Sequence, residues 1–402
     1  SVVLNLTAFE TFFPEKRLFF QEGNELFETT PRANNGRAMR ELTNENFATT
    51  SRRVYVTEFL PAPISLINTR RIGGTASQVT LPAGITPKKG ERDLPTELLG
   101  AVKLTGRIGN FRYGVVGAFE DDVEWQGSDT LGNPVGIDDE GRDFAAIRVS
   151  YEKSAVNRYA LGYMGTLVDG PIYDAAVHGL DWHYGTGDGR WALDLQLMHS
   201  DVDDVSGQGG VFDLTYSGNS RIQHVFKLDY FDEDVDINDL GFLRRNDYAG
   251  MLYAYRYAQR SKNKGLIRAN RGAVTLVQQY NISRGQVVDS GIYWRNTLEV
   301  PGRNTIRTSL AWLPERYEDV DSRGHGAYLA EDRIWWNLLW TTDASARFSW
   351  SFGVGGIQED LGEWTGQYSV GLTMRPNDLL VVSADLKYKR RDGWLVYQGG
   401  PY

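Results

Sequence analysis

Residues 347–356 read RFSWSFGVGG, with large apolar side chains at Phe348, Trp350, Phe352 and Val354 and with Arg347, Ser349, Ser351, Gly353 and Gly355 between them. A period of two is the signature of a strand with one apolar and one polar face. The period recurs through the chain. Phe111, Val115 and Phe119 alternate with Arg112, Val116 and Glu120; Trp191, Leu193, Leu195 and Leu197 with Ala192, Asp194, Gln196 and Met198. Phe226, Leu228 and Tyr230 alternate with Lys227 and Asp229; Tyr368, Val370 and Leu372 with Ser369, Gly371 and Thr373; Val382 and Leu386 with Ser383 and Asp385. About sixteen such segments follow residue 96, many near the ~10 residues that a tilted membrane strand needs.

The connections carry more information than the strands. Turn-forming residues sit at Gly109-Asn110, 154–157, 187–189, 218–220, 262–265, Pro301-Gly302, 343–346 and 376–378. Between them lie links expected to be longer: 121–143, 167–174, 199–210, 231–247, 281–289, 315–331 and 357–366. Regular alternation of short and long connections puts all short turns at one end of an up-and-down sheet, as in outer-membrane barrels.

The polar positions decide what the apolar face meets. Lys103, Arg107, Arg148, Asp194, Asp213, Lys227, Arg295, Glu299, Arg307 and Asp385 fall on the other face. A dry soluble core does not take so many unpaired charges, and a propeller would not alternate its loops by length. The expected fold is therefore all-β: a transmembrane up-and-down antiparallel β-barrel of about 16–18 strands over 96–402. Its lipid face carries the bulky members of each pair.

Residues 1–95 break the pattern and read as a partly irregular lead-in that fills part of the lumen. The first clear strand descends from the long-loop side, so the chain must reach that side beforehand. Phe12, Phe13, Phe19, Phe20, Arg70 and Arg71 are the plug candidates. Val54 to Phe59 could pair briefly, although Pro61 and Pro63 demote it. The first residues, SVVLNLTAFE, lack the basic region and apolar core of a secretory leader. At the other end no conventional closing strand follows the segment near 380–390.

Composition agrees with this picture. The 402 residues hold 11 Trp and 21 Tyr, which suits interfacial belts, and no apolar run approaches a membrane helix. A net charge of -9 argues against nucleic acid as a partner, and the absence of Cys excludes disulfides and thiolate metal sites.

Four stretches, NLTAFETFFPEKRLFFQEGNELF (5–27), TRRIGG (69–74), GAVKLTGRIG (100–109) and NDLGFLRRNDY (238–248), resemble a bacterial outer-membrane barrel family of unknown function. That family usually follows a carbohydrate-binding module of the family-nine type. The resemblance implies an outer-membrane barrel in a Gram-negative bacterium, associated with carbohydrate. The residues of this chain read as lead-in and barrel, with no such module among them, and the family supplies no reaction.

Candidate chemistry is sparse. The inward-facing candidates for lining the lumen and setting selectivity are Lys103, Arg107, Arg112, Arg148, Asp194, Lys227, Asp229, Arg295, Glu299, Arg307, Arg347, Arg375 and Asp385. Arginines gathered near the short-turn end would focus anions or acidic sugars; a plain polar rim explains them equally well. Acids crowd 120–143 and 232–239. Asp232, Asp234 and Asp236 have the spacing of a calcium loop, but no Gly stands sixth and Leu243 occupies the place of the bidentate Glu. A solvated acidic loop is the favoured reading, with surface-bound calcium as its alternative and no other cofactor expected. Trp336 and Trp340 share a face with Leu338 and belong to a girdle, leaving Trp335 as the aromatic on the lumen side. Among five histidines, His178 and His183 face opposite sides of one strand.

The expected function is passage or docking of small polar solutes or glycans through a partly plugged barrel embedded in outer-membrane lipid and lipopolysaccharide. A non-conducting surface scaffold that binds a partner protein through acidic loops is the competing class. A lipid or ester hydrolase is a third class, with no motif behind it and no catalytic residues to assign.

Overall fold

The computed structural model describes residues 15–34, 62–261, 265–319, 326–358 and 363–390. The fold is all-β. Its main element is a sixteen-stranded antiparallel sheet, each strand hydrogen-bonded to the next in sequence. The first eight strands are β1 (Leu98–Ile108), β2 (Phe111–Glu120), β3 (Asp143–Ser154), β4 (Arg158–Asp169), β5 (Ala175–Gly185), β6 (Trp191–Val202), β7 (Val205–Asn219) and β8 (Ile222–Phe231). The second eight are β9 (Tyr248–Arg260), β10 (Ala269–Asn281), β11 (Gln286–Val300), β12 (Asn304–Leu313), β13 (Arg333–Thr341), β14 (Phe348–Gln358), β15 (Trp364–Asn377) and β16 (Leu380–Arg390). No described helix is long and apolar enough to cross a membrane.

Alternation of burial assigns the faces. In β14, Phe348, Trp350 and Phe352 are 56%, 42% and 40% exposed, whereas Ser349 is 7% exposed. In β1, Val102, Leu104 and Ile108 are exposed while Lys103 turns inward. The bulky row is outermost along the sheet, as a wall facing hydrocarbon requires and a water-facing wall would not.

Short turns fall where Gly, Asn, Asp and Pro predict them, including Gly109 and Gly189 with φ of 62° and 68°. Two of the supposed long links differ. Segment 199–210 is almost wholly strand, with β6 and β7 joined by Asp203-Asp204 at φ of 51° and 61°. Aspartate tolerates this left-handed pair, which forms the tight hairpin turn that an acidic run conceals. Segment 281–289 shrinks to a four-residue turn between Asn281 and Gln286.

The described residues form two compact units: those of 15–34, 62–213 and 229–248 make the first; those of 214–228 and 249–390 the second. In the first, the inner wall carries a broad apolar patch. Val116, Ala118, Phe144, Ala146, Met164, Val168, Val177, Met198 and Val211 pack with Phe20, Leu26, Phe27, Ile64, Leu66, Ile67 and Ile72 of the lead-in. Each buried Val, Leu, Ile, Phe or Met among them contributes about 1.5–3 kcal/mol, so this stretch of wall is a packed interface. Ile64–Ser65 also pairs with Phe242–Leu243.

Segment 120–143 is not merely a solvated loop. Val123–Ser128 and Pro134–Asp139 form a hairpin extended by Thr86–Pro87. Val123, Trp125 and Ile137 make its small core with Ala76, Val79 and Ile85. Apolar alternation every second residue within the acidic run drives this. Residues from 76 onward thus dock on this hairpin; the part of the lead-in that covers the inner wall ends near Ile72.

In the second unit, Val225, Leu252, Ala254 and Val277 form a compact cluster with Tyr293 packed against it. Beyond it the inward positions of β13–β15 include the small or polar Asn337, Ser349, Ser351, Gly353, Gln367, Ser369 and Thr373, and those of β16 are Ser383, Asp385, Lys387 and Lys389.

Candidate functional site

The lead-in of the first unit is clamped to the wall by three buried ionic arrangements. Arg32, the second residue of a short 3-10 turn (Pro31–Asn34), is 1% exposed. Its Nε donates to both carboxylate oxygens of Asp213 on β7 at 3.0 and 3.1 Å, and Nη1 pairs with Asp229 on β8. Tyr248 donates its hydroxyl to the other oxygen of Asp229 at 3.3 Å. Two carboxylates around one guanidinium satisfy charges that burial would otherwise penalise heavily.

Arg148 on β3 makes the second clamp. Its Nη2 donates to Asp181 at 2.8 Å, Nη1 pairs with the same carboxylate, and Nε donates to the Leu26 carbonyl at 3.2 Å. His183 extends the arrangement: Nε2 lies 3.0 Å from Asp181 and Nδ1 2.6 Å from Asp194. The third clamp joins Glu120 and Arg142, at the two ends of the 121–142 excursion. Arg142 Nε donates to Glu120 at 2.9 Å and its Nη1 to Ser77 at 2.8 Å, while Gly73 N–H donates to Glu120 at 2.8 Å. Glu120 is thus a buried anchor and not a loop acid.

Lys103 caps the lead-in from β1, with Nζ 3.3 Å from the Phe20 carbonyl and 5.5 Å from the Phe27 ring centroid. Glycines allow the close approach. A Cβ on Gly114 would stand 2.7 Å from atoms of both Leu26 and Phe27. At the start of the described lead-in, Glu15 accepts from Arg17 N–H and from the Thr69 hydroxyl at 2.7 Å. Burial pushes its carboxyl up, but the Arg17 and Thr69 hydrogen bonds outweigh that and hold it at about 2. On the long-loop side, Tyr173 donates to Asp239 at 3.2 Å. Burial and then the Asp239 charge push Tyr173 up to about 12, and burial with the nearby Asp236 raises Asp239.

The inward-facing candidates therefore divide. Arg148 and Asp229 are buried in clamps and do not line open water, a correction whose cause is the pairing of Arg148 with Asp181 on the wall and of Asp229 with Arg32 of the lead-in. Lys103 is likewise engaged, and Arg112 is half-buried, 3.7 Å from Glu25 and 3.5 Å from Glu152. Asp194 holds His183. Arg107 folds onto the Gly109 carbonyl at 2.9 Å. In the second unit, Lys227, Arg295, Glu299, Arg307, Arg375, Arg347 and Asp385 occupy the inward register positions, the last two exposed.

Among the plug candidates, Phe20 is buried at 5.0 Å from the Phe19 ring, while Phe19 faces solvent. Arg71 donates to the Gly241 carbonyl at 3.3 Å and Arg70 is half-buried. Phe12 and Phe13, the 54–59 pairing and Pro61 lie outside the described residues. Asp232 caps the Val235 and Gln208 N–H groups and Asp236 caps Asn238, so these carboxylates organise backbone. Among the described residues no three His, Asp or Glu converge as a metal centre.

The family model for DUF5916, a domain of unknown function, matches residues 1–32 and 160–399, more than half of the chain. The chain belongs to the DUF5916 family. No curated protein matches it. Among solved structures it is similar to Pseudomonas aeruginosa OccK8 (OprE), at 11% identity and a TM-score of 0.38 over 72% of this chain and 87% of that one. It is also similar to Pseudomonas aeruginosa OccK11 (OpdR), at 9% and 0.37 over 72% and 88%. A third similarity is to the Ralstonia pickettii toluene transporter TbuX, at 11% and 0.15 over 72% and 80%.

Proposed function

We propose that this DUF5916 chain is an outer-membrane barrel of a Gram-negative bacterium that passes or docks polar solutes, glycans among them. One contrast carries the reading. The inner wall of the first unit carries an apolar patch covered by the chain's own lead-in, whereas the inward positions of β13–β16 carry Asn337, Ser349, Ser351, Ser369 and Thr373 together with Asp385, Lys387 and Lys389. A wall that mixes hydroxyl and amide groups with charges of both signs offers donors and acceptors to polar solutes without strong selectivity for one sign of ion. The half-buried Trp335 shares that face and supplies a ring for sugar stacking.

Single-channel recording in planar bilayers tests it. The expected result is low conductance in the whole chain, rising when residues 15–34 are undocked by changes at Gly114. Silence in both would favour the scaffold reading. That reading has one observation of its own: the hairpin 123–139 has a core and presents Glu124, Asp138 and Glu140 from a fixed platform. Outer-leaflet lipopolysaccharide and calcium are the partners such a platform would meet.

A further inference from the structure

The outer wall of the first unit holds a pair of histidines that solute passage does not use. In the β5–β6 hairpin, His178 and His199 stand directly opposite each other in the register, and both are exposed. Directly opposed side chains on one face of a sheet have Cβ atoms about 4.5–5.5 Å apart, within reach of one shared ion for two imidazoles. The next pair toward the short turns is Leu180 and Leu197, both exposed; the next toward the long loops is Ala176 and the exposed Asp201. The imidazoles thus lie where the apolar band gives way to the charged rim.

Two details go beyond proximity. Tyr163 on β4 places its hydroxyl 2.8 Å from His178 Nδ1, with the rings near parallel at 6.2 Å. That contact occupies one nitrogen and leaves Nε2 free, the device by which an outer partner fixes the tautomer and orientation of a ligating histidine. Gly165 faces His178 in the register, and a Cβ there would stand 2.9 Å from the Tyr163 hydroxyl, so the glycine admits this contact. No hydrogen bond or ion pair engages the His199 ring among the described residues.

His224 in the second unit provides the contrast. Its Nδ1 also meets a tyrosine hydroxyl, that of Tyr253 at 2.9 Å, but its ring neighbours are Tyr216, Tyr253 and Tyr255 and not a second imidazole. That is an aromatic belt. The His178–His199 pair offers two borderline nitrogen donors instead.

We propose that His178 and His199 form a two-imidazole site for a divalent transition-metal ion of the Zn2+, Cu2+ or Ni2+ class, with water filling its other coordination positions. Imidazole selects these ions over Ca2+ and Mg2+, which prefer oxygen. The Asp201 carboxylate, two residues along the same face, adds negative potential without being needed as a ligand.

The test uses the full chain, without a histidine tag, in detergent micelles. Calorimetric titration with ZnCl2 is expected to show one ion per chain. His178→Asn and His199→Asn should each weaken binding at least tenfold, and Tyr163→Phe should weaken it while keeping the stoichiometry. Bound Cu2+ should show coupling to two nitrogens by electron paramagnetic resonance. Both histidines are exposed, so their variants should keep the heat-modifiable gel mobility of the folded barrel. Absence of binding by the wild-type chain overturns the site. So does a loss below tenfold in the double His178→Asn/His199→Asn variant, or a Cu2+ spectrum without two-nitrogen coupling.

Discussion

Arg148 on the wall donates from Nε to the backbone carbonyl of Leu26 at 3.2 Å, while its other two nitrogens hold the buried Asp181. One guanidinium therefore neutralises a carboxylate on β5 and grips the lead-in, and neither task can be removed alone. Arg148→Met should leave the buried Asp181 with only the His183 imidazole beside it and cost about 3–5 kcal/mol. Arg148→Met with Asp181→Leu should recover most of that, since an apolar pair of similar volume replaces the ionic one. Hydrogen exchange at Phe27 N–H, bonded to the Asn24 carbonyl, reads the docking: each 1.4 kcal/mol lost locally accelerates it about tenfold. Equal exchange in the single and double variants would refute the clamp.

Gly114 tests the same interface sterically. A Cβ there would meet Leu26 and Phe27 at 2.7 Å, and overpacking of this kind typically costs about 1–3 kcal/mol. Gly114→Val should release 15–34 to protease while leaving the outer wall intact, and adding Leu26→Ala should restore part of the protection. Unchanged protease resistance in Gly114→Val would mean that the lead-in does not pack as described.

Much of this architecture was legible in the alternation of side chains. Phe348, Trp350 and Phe352 meet the outside as their period requires, and tight turns appear at Gly109, Gly189 and Gly302. The clamps were not legible. Arg32 and Asp213 are 181 residues apart, and nothing local distinguishes a lumen-facing arginine from one buried against a plug. The Asp203-Asp204 turn was hidden because aspartate serves both tight turns and solvated loops. The His178–His199 pair could have been found: the two residues lie equally far from the turn near Gly187–Gly189, and hairpin register then makes them opposite.

Glu15 gives the docking a pH dependence with a definite sign. Its ordinary value of 4.5 falls to about 2 in the folded chain, so its contribution is fully present above 4.5. It is lost as the pH falls from there through about 2. Exchange of the Arg71 and Ile72 amides, which close the turn at Thr69–Arg71 beside Glu15, should therefore accelerate beyond its intrinsic pH dependence between pH 4 and pH 2. Glu15→Gln should flatten that extra dependence. If the glutamine variant keeps the same acid profile, another carboxylate is responsible.

The apolar outer face makes the most general claim, and β14 and β15 provide paired probes of it. Phe352 faces outward opposite Val370, whereas Gln367, opposite Gly355 and Lys389, points inward. Arginine at a lipid-facing position near the bilayer midplane costs about 2–4 kcal/mol, against about 0–1 near the interfaces. On the lumen side the same residue retains access to water. Phe352→Arg should therefore lower the folding yield into lipid vesicles and shift the denaturant midpoint strongly, and Gln367→Arg should do neither. Folding assays by gel mobility in short- and long-chain lipids would read both. Equal tolerance of the two substitutions, in lipid but not only in detergent, would mean that the Phe352 row does not face hydrocarbon.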